Sequence, residues 1–229
     1  LFKAWGVDVN MSKVVADLTY TSGAGPSLLP TLLSLNNEAL NQEDVVANQV
    51  GTMLIPFGGV FSGTPAAGLT QTVLAHTSKN SMPVDLIIAT LSGEPSTRGF
   101  EPSGKELPLA IRLTGKFKTA FPGGKPEPYA PRGERKPEDK KPPAASPLKE
   151  SAAENSVVLV ADVDMLTDNA AVDVQDVFGQ RVVVPRNGNL AFAQGMVEQF
   201  SGDSALISLR SRAAFSRPLT VIRQIEAQA

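Results

Sequence analysis

Short apolar runs separated by polar, glycine-rich or proline-rich breaks recur along the chain, and this pattern predicts short strands joined by loops. The clearest runs are rich in apolar and β-branched residues, and they lie at 14–20, 29–35, 70–78 and 106–117. Residues 51–63 predict a strand interrupted near Pro56 and Gly58–Gly59, because proline cannot donate to a sheet ladder. Residues 82–91 fit a helix or a strand, and their β-branched residues favour a strand.

Helices are predicted where apolar residues recur at helical spacing or where a capping residue precedes such a run. LFKAWG at the start of the chain indicates the last turns of a helix that ends at Gly6. Residues 36–50 indicate a short helix, with asparagine at its start and glutamates in its first turns. Residues 216–229 indicate another helix, which begins with a serine and a proline.

The C-terminal part has the most regular pattern. In VVLVADVDMLTD, residues 157–168, the first residues are apolar on both faces, which predicts a buried strand that is either parallel to its neighbours or central in its sheet. RVVV at 181–184 predicts a second strand, 189–201 a helix, and ALISLRSR at 205–212 a third strand. Strand, helix and strand in this order indicate a βαβ-like unit. We therefore expect an α/β fold with a mixed, mostly parallel sheet flanked by helices.

The composition changes abruptly at residues 122–155, which hold eight prolines, seven Lys or Arg and six Asp or Glu. Such a segment has little apolar surface with which to offset the entropy of ordering. It is predicted to be a long disordered insertion. The flanking stretches, 1–121 and 156–229, are expected to form two parts of one α/β domain, since the second is near the lower size limit for a stable domain.

Composition and charge exclude several classes of function. The net charge of −2 and the lack of clustered Lys and Arg outside the proline-rich segment argue against a nucleic-acid partner. The absence of cysteine excludes thiol nucleophiles and thiolate metal sites, and the single histidine, His76, excludes a multi-histidine site. There is no GxxxxGK[ST] phosphate loop. These features favour a protein that is not an enzyme and needs no cofactor.

Asp162, Asp164 and Asp168 form the first candidate site, because they follow an apolar strand directly. Carboxylates at the carboxyl end of a strand lie where α/β sheets bind ligands, and their oxygens suit Mg²⁺ or Ca²⁺. Aspartate also ends strands and starts helices routinely, and the sequence TDNAAV after Leu166 resembles such a start. We favour this second interpretation and predict no metal site.

Asn187 and Asn189 form the second candidate site, because one of them caps the predicted helix at 189–201. We expect them to lie with the three aspartates on a surface that contacts a partner or a ligand. Trp5 and Tyr20 are the candidates for an aromatic platform, although Trp5 lies on the apolar side of its predicted helix. His76 is expected to be a packed or edge residue of its strand.

Several motifs resemble one family in the same order. AWGV, KVVAD and PFGGVFSG resemble the extracytoplasmic region of the ABC-transporter auxiliary family related to the gliding-motility protein GldG. VVLVADVDMLTD, NGNLAFAQGMVEQFSGD and ALISLRSR resemble the same family. The resemblance covers most of the chain outside 122–155. Its motifs are packing signatures and not catalytic ones.

This resemblance implies a flavodoxin- or amidotransferase-like α/β region without a catalytic cysteine, in which the first strands are missing. It also implies a location on the periplasmic side of the inner membrane, with transmembrane helices outside this sequence. The implied partners are the permease and ATPase subunits of an ABC transporter. The expected function is that of a non-enzymatic binding or scaffold domain. A carbohydrate or small-ligand binding module is the alternative, and a divalent-metal hydrolase is less favoured.

Overall fold

The computed structural model describes residues 1–48, 50–122 and 148–202. The strands of these ranges are β1 (Val7–Val9), β2 (Lys13–Asp17), β3 (Thr21–Ser22), β4 (Leu29–Leu35), β5 (Met53–Pro56), β6 (Phe61–Gly63), β7 (Leu69–His76), β8 (Ser81–Asp85), β9 (Pro108–Gly115), β10 (Asn155–Val160), β11 (Val172–Val177) and β12 (Gln180–Pro185). The α-helices are α1 (Leu86–Ala89), α2 (Glu94–Thr97), α3 (Asp168–Ala171) and α4 (Asn189–Phe200). Single 3₁₀ turns lie at Phe2–Trp5, Gly25–Ser27 and Asp164–Leu166.

The strands form several small antiparallel sheets. Two have three strands, in the orders β10-β9-β7 and β3-β4-β5, and three are pairs, namely β1-β6, β2-β8 and β11-β12. Every strand pairing within the described ranges is antiparallel. The prediction of a mostly parallel, flavodoxin- or amidotransferase-like α/β sheet is therefore wrong.

The reason for this error lies in β10, which is apolar on both faces although it pairs antiparallel with β9. Val158 and Val160 pack against the largest apolar cluster, while Val157 and Leu159 pack against a second one. Both faces of β10 are thus covered, as they are in a parallel sheet, but by other sheets and by α4 rather than by crossover helices. A continuous apolar run therefore indicates that both faces of a strand are covered, but it does not indicate whether the strand is parallel or antiparallel to its neighbours.

The largest cluster joins the β3-β4-β5 sheet to the β10-β9-β7 sheet and to α4. Its largest fully buried side chains include Leu33, Met53, Leu74 and Phe192. Full burial of each such side chain stabilises the fold by about 1.5–3 kcal/mol. Phe192 is the contribution of α4, so this helix is fixed to the body by an apolar contact.

A buried ion pair fixes the other end of α4. Arg112 of β9 donates to both carboxylate oxygens of Asp44, and its Nη2 also donates to Oε1 of Gln199 on α4 at 2.6 Å. Both ionised side chains are almost fully buried. Paired donors and acceptors of this kind hold buried charges that would otherwise be strongly unfavourable.

The predicted helix at 36–50 is replaced by consecutive turns over 36–48. The side-chain oxygens of Asn36, Asn41 and Asp44 each accept a hydrogen bond from the backbone amide two residues further on. Such local bonds compete with helical hydrogen bonds, which is why these residue types favour turns. Three of them within nine positions prevent a continuous helix.

Several other predictions were confirmed. The strands expected at 29–35, 70–78 and 106–117 correspond to β4, β7 and β9, and the strand at 51–63 is interrupted after Pro56. The predicted helix at 189–201 corresponds to α4. The ambiguous stretch 82–91 contains both structures, since β8 ends at Asp85 and α1 follows immediately.

The proline-rich segment is described only at its ends. Lys149 accepts a hydrogen bond at its backbone oxygen from Thr119, and Ser151 donates its backbone amide to Phe117. The two ends of the segment therefore run side by side before β10 begins. Residues 123–147, the predicted strand at 205–212 and the predicted helix at 216–229 lie outside the described residues. No helix among the described ranges has the length and apolar character needed to cross a bilayer.

Candidate functional site

The candidate site begins where β10 ends. Ala161, the next residue, donates its amide to Leu109 at 3.0 Å and accepts a bond at its oxygen from Gly59 at 2.7 Å. A Cβ at Gly58 would lie 2.4 Å from a methyl carbon of Ile55, so a side chain larger than hydrogen would displace this packing. Gly58, near which the strand was predicted to be interrupted, therefore packs closely against Ile55 beside the end of β10.

Asp162 is partly buried at this point and starts the 3₁₀ turn at 164–166. Its Oδ1 accepts hydrogen bonds from the backbone amides of Asp164 at 2.7 Å and Met165 at 3.3 Å. Its Oδ2 is buried and has no hydrogen-bond partner among the described residues. Desolvation by burial is the main reason why the pKa of Asp162 rises to about 6, and it outweighs the two backbone hydrogen bonds, which lower this pKa.

Asp164 and Asp168 have different positions from Asp162. Both are exposed; Asp164 lies in the 3₁₀ turn, and Asp168 is the first residue of α3. Acidic side chains are favourable at the start of a helical turn, where unpaired backbone amides concentrate positive charge. Among the described residues, no three His, Cys, Asp or Glu side chains are grouped so that they could hold a metal ion. The three aspartates therefore do not form one ligand set.

Asn189 is fully buried at the start of α4, and its side chain joins three elements. Its Oδ1 accepts from the amide of Leu54 at 2.9 Å, and its Nδ2 donates to the oxygens of Leu54 at 2.8 Å and Met165 at 2.7 Å. The amide group thus pairs with β5 in the way a neighbouring strand would. Its hydrogen bonds are used inside the protein, and it offers none of them to a ligand.

Asn187 and Gly188 complete this junction. Asn187 donates from Nδ2 to the oxygen of Ala170 at 2.7 Å and accepts from the amide of Asn189 at 3.0 Å. Gly188 donates its amide to Thr52 at 2.8 Å, and a Cβ at this position would lie only 2.1 Å from the oxygen of Val50. The helix cap is Gly188 and not an asparagine side chain, so the predicted cap residues serve to connect β5, α3 and α4.

The structure therefore divides the five predicted site residues into two groups. Asp162, Asn187 and Asn189 support the fold from inside, while Asp164 and Asp168 face solvent. Sequence reasoning did not identify two exposed apolar neighbours of Asp164 and Asp168. These are Val163, which is 83% exposed, and Leu166. We call the exposed residues Val163, Asp164, Leu166 and Asp168 the acidic surface. A large apolar residue between two aspartates is the signal that could have indicated it.

The two aromatic candidates have different surroundings. Tyr20 is buried in the largest cluster, so it offers no platform. Trp5 is half-buried and packs edge-to-face on Phe117, with 5.0 Å between the ring centroids. Its Nε1 donates to the backbone oxygen of Lys118 at 3.2 Å. It also lines an open groove of about 370 Å³, whose other walls include Phe121 and Leu148.

His76 lies at the end of β7, an edge strand of its sheet, as predicted. Its Nδ1 lies 2.8 Å from the backbone oxygen of Thr77 and 3.9 Å from a carboxylate oxygen of Glu106. The imidazole is half-buried between these groups and lies far along the chain from the aspartates. It has the surroundings of a structural side chain rather than of a general base with a bound substrate.

Comparison with known protein families gives a match over most of the chain. A family model described as an ABC-type uncharacterized transport system, auxiliary component, matches residues 1–196. This range contains β1 to β12, most of α4, and all five predicted site residues. No curated protein and no solved structure shows significant similarity to the chain.

Proposed function

Since this chain belongs to the auxiliary family of an ABC-type transport system, we propose that it is a non-enzymatic accessory component that works by binding other subunits. In this proposal the domain lies on the periplasmic side of the inner membrane and is held there by membrane-spanning segments outside this sequence. The permease and the ATPase subunits are its partners, and gliding motility is one process that such a system serves.

One observation carries the binding role. Asp162 and Asn189 use their side chains for hydrogen bonds inside the protein, whereas Val163 and Leu166 are exposed beside the exposed side chains of Asp164 and Asp168. A catalytic site needs polar groups that are directed at a substrate. An exposed mixture of apolar and charged residues suits a protein contact, in which burial of apolar area supplies free energy and charge selects the partner.

The acidic surface defines the chemistry of its partner. A matching subunit surface carries Lys or Arg opposite Asp164 and Asp168 and an apolar patch opposite Val163. Hydrogen bonds tie this surface to the rest of the fold, because Asp162 accepts from the 3₁₀ turn and Asn189 connects that turn to β5 and α4. A surface that is ordered before binding loses less conformational entropy when its partner binds, which favours specific association.

Co-purification from membranes tests this proposal. The full-length tagged protein, produced with the neighbouring permease and ATPase, is extracted in mild detergent and the bound subunits are quantified. Val163→Lys combined with Asp164→Lys should reduce the recovered permease at least ~10-fold, because it places cations against a basic partner surface. Raising the salt concentration should weaken the parent complex in the same direction.

Ile87→Lys is the matched control, since Ile87 is 87% exposed on α1, which packs against β2 and β8 instead. It should leave recovery of the permease unchanged. Equal losses for the Ile87 and Val163 variants, or no loss for either, would contradict a role for the acidic surface. Circular dichroism of each purified variant verifies that the fold is retained.

The groove beside Trp5 favours a second candidate function, a small-ligand or carbohydrate binding module. Its walls are mainly apolar and aromatic, as in many ligand sites, and its volume of about 370 Å³ suits a small molecule. The ring of Trp5 contributes to the wall, although its N–H is already bonded to Lys118. A ligand here would be recognised through its apolar face.

Because Trp5 is the single tryptophan of the chain, its fluorescence reports directly on this groove. Titration with cellobiose and with decanoate should shift the emission of the parent protein if either class binds. Phe121→Ser, which removes an exposed wall residue, should weaken that response several-fold. Emission that stays unchanged with both probes at high concentration would eliminate this candidate.

A further inference from the structure

The β11–β12 hairpin is the least covered part of the described structure. Its two strands bond to each other over residues 172–185 and form no sheet with any other described strand. Val174, Val182, Val183 and Val184 are all exposed on it. Two-stranded hairpins are marginally stable in water, and natural edge strands usually carry lysine, proline or a bulge that prevents further pairing. In β12 of this hairpin, Arg181 and Pro185 flank three consecutive valines, Val182 to Val184.

The direction of the backbone groups in β12 follows from the pairing. Arg186 donates its amide to the oxygen of Ala171, so the opposed residues 171 and 186 bond towards each other. In an antiparallel pair, inward and outward bonding alternate from one residue to the next. The N–H and C=O groups of Arg181 and Val183 therefore point outward, away from β11, and no described residue bonds to them.

The tip of the hairpin is unusual in its residue type. Phe178 and Gly179 both have positive φ, 54° and 78°, as a type I′ turn requires. Asparagine is preferred at the first of these positions, since a bulky residue is strained there. Phe178 is nevertheless fully exposed. The ring of Phe178 is therefore open to contact with another molecule.

We propose that β12 pairs with β12 of a second copy of this chain, antiparallel about a two-fold axis through Val183. In this register the two Val183 residues exchange two backbone hydrogen bonds, and Arg181 donates its amide to the oxygen of Pro185 in the second copy. The pairing joins two hairpins into one four-stranded sheet. This self-association is independent of the transport subunits and adds to the proposed function.

The register also brings the apolar side chains together. Val174 lies opposite Val183 within each hairpin, so one face of the four-stranded sheet carries a row of four valines across its strands. Val182 and Val184 form directly opposed pairs on the other face. Cross-strand pairs of β-branched residues contribute roughly 0.2–1 kcal/mol each, in addition to the burial of their surface.

Charge favours β12 over β11 as the contacting edge. β11 carries two carboxylates, Asp176 and Asp173, the second of which is paired with Arg186, so pairing of two β11 strands would bring acidic groups into the contact. β12 has no acidic residue, and its single charge, Arg181, lies opposite an uncharged proline. The two Arg181 side chains are separated by about four residues along the strands, roughly 13 Å, beyond the Debye length at physiological salt.

The same pairing gives Phe178 a role in the contact. Pairing over Gln180–Pro185 brings the exposed Phe178 at the tip of one hairpin close to the residues that follow β12 in the second copy. The contact is small, so we expect an equilibrium between monomer and dimer rather than a permanent dimer.

Sedimentation velocity of the 229-residue chain tests the proposal over concentrations from roughly 1 μM to 1 mM. The parent should shift from the 24.1 kDa monomer to a species of twice that mass. Val183→Pro removes the outward N–H of β12 without removing any bond to β11, and should weaken the dimer at least ~10-fold. Phe178→Asn, which improves the turn, should weaken it while preserving the hairpin.

Val174→Pro is the matched control, because it removes the equivalent outward N–H from the opposite edge, β11. It should dimerise like the parent, and circular dichroism should show that both proline variants are folded. A parent that remains monomeric at every concentration would overturn the proposal. Equal effects of the two proline substitutions, or open-ended growth beyond the dimer, would overturn it as well.

Discussion

Asp162 and Asn189 show how differently burial acts on two polar residues of the same junction. Asn189 is neutral, and its side-chain amide forms three hydrogen bonds. Both N–H groups donate, and the oxygen accepts one bond and keeps one lone pair unused. Asp162 is acidic, and one of its oxygens is buried without a partner among the residues described. A buried group without a hydrogen bond is unfavourable, and a buried charge more so. Asn189 therefore strengthens the junction, while ionised Asp162 weakens it.

Asp162→Asn should stabilise the protein at neutral and alkaline pH. The folded pKa of about 6 exceeds the unfolded value of 3.8, so the folded state binds more protons and stability falls as pH rises between these values. The variant keeps the acceptor for Asp164 and Met165 and loses this penalty. We expect a gain of ~1–2 kcal/mol near pH 8, discounted for partial exposure, and little gain near pH 4. Urea unfolding at the two pH values measures it.

Asp162→Leu provides the comparison for this experiment. It also removes the ionisable group, but it leaves the amides of Asp164 and Met165 without their acceptor. It should therefore show the same flat pH dependence at lower overall stability. If Asp162→Asn kept the pH dependence of the parent, desolvation of this carboxyl would not be its source.

The sequence indicated that Asp162, Asn187 and Asn189 are important, but not what they do. The partner of Asn189 on β5 is Leu54, which is 135 residues away along the chain. Local patterns predict a helix cap from NGN, and they contain no information about a strand that packs there from a distance. A polar residue with a structural role and one with a ligand-binding role look the same until their partners are known.

At the scale of the elements, α4 depends on two glycines in opposite ways. Gly188 precedes the helix and approaches Val50 and Thr52 so closely that no side chain fits there. Gly195 lies inside the helix, where a Cβ would be 3.6 Å or more from its nearest neighbours, an ordinary contact distance. Glycine is required at the first position because of a close approach and is only unfavourable at the second.

Gly188→Ala should destabilise the fold by roughly 1–3 kcal/mol, since the new methyl group forces the start of α4 away from β5. Gly195→Ala should instead stabilise it by about 0.5–1 kcal/mol through better helix propensity. Thermal unfolding of both variants under identical conditions gives the two shifts. Destabilisation of similar size by both substitutions would show that helix packing, and not the junction at Gly188, is the sensitive feature.

The elements were more predictable than their arrangement. Alternating or continuous apolar runs located β4, β7, β9 and β12, because strand formation depends on local side-chain pattern. The helix predicted at 36–50 failed because asparagine and aspartate side chains bonded to the backbone before a helix could form. Local side-chain chemistry determined both the strands and the turns at 36–48, but the sequence analysis predicted only the strands correctly.

At the scale of the whole molecule, the sheets are assembled from segments far apart in sequence. β1 pairs with β6, β2 with β8, and β9 with β10. Strand direction and partner choice in such a fold are set by loop closure and by which faces become covered. The apolar stretch of β10 has two covered faces in either topology, so its sequence could not distinguish a parallel sheet from the antiparallel one observed.

The pairing of Pro108–Gly115 with Asn155–Val160 encloses residues 123–147, and the ladder of six opposed residue pairs is complete without any of them. The covalent link across this interval can therefore be cut while the strands on either side stay matched. Such a layout allows the protein to be assembled from two separately produced polypeptides. It also makes this interval a suitable place to insert a fluorescent module or a cleavable tag, because no bond of the β9–β10 ladder would be interrupted.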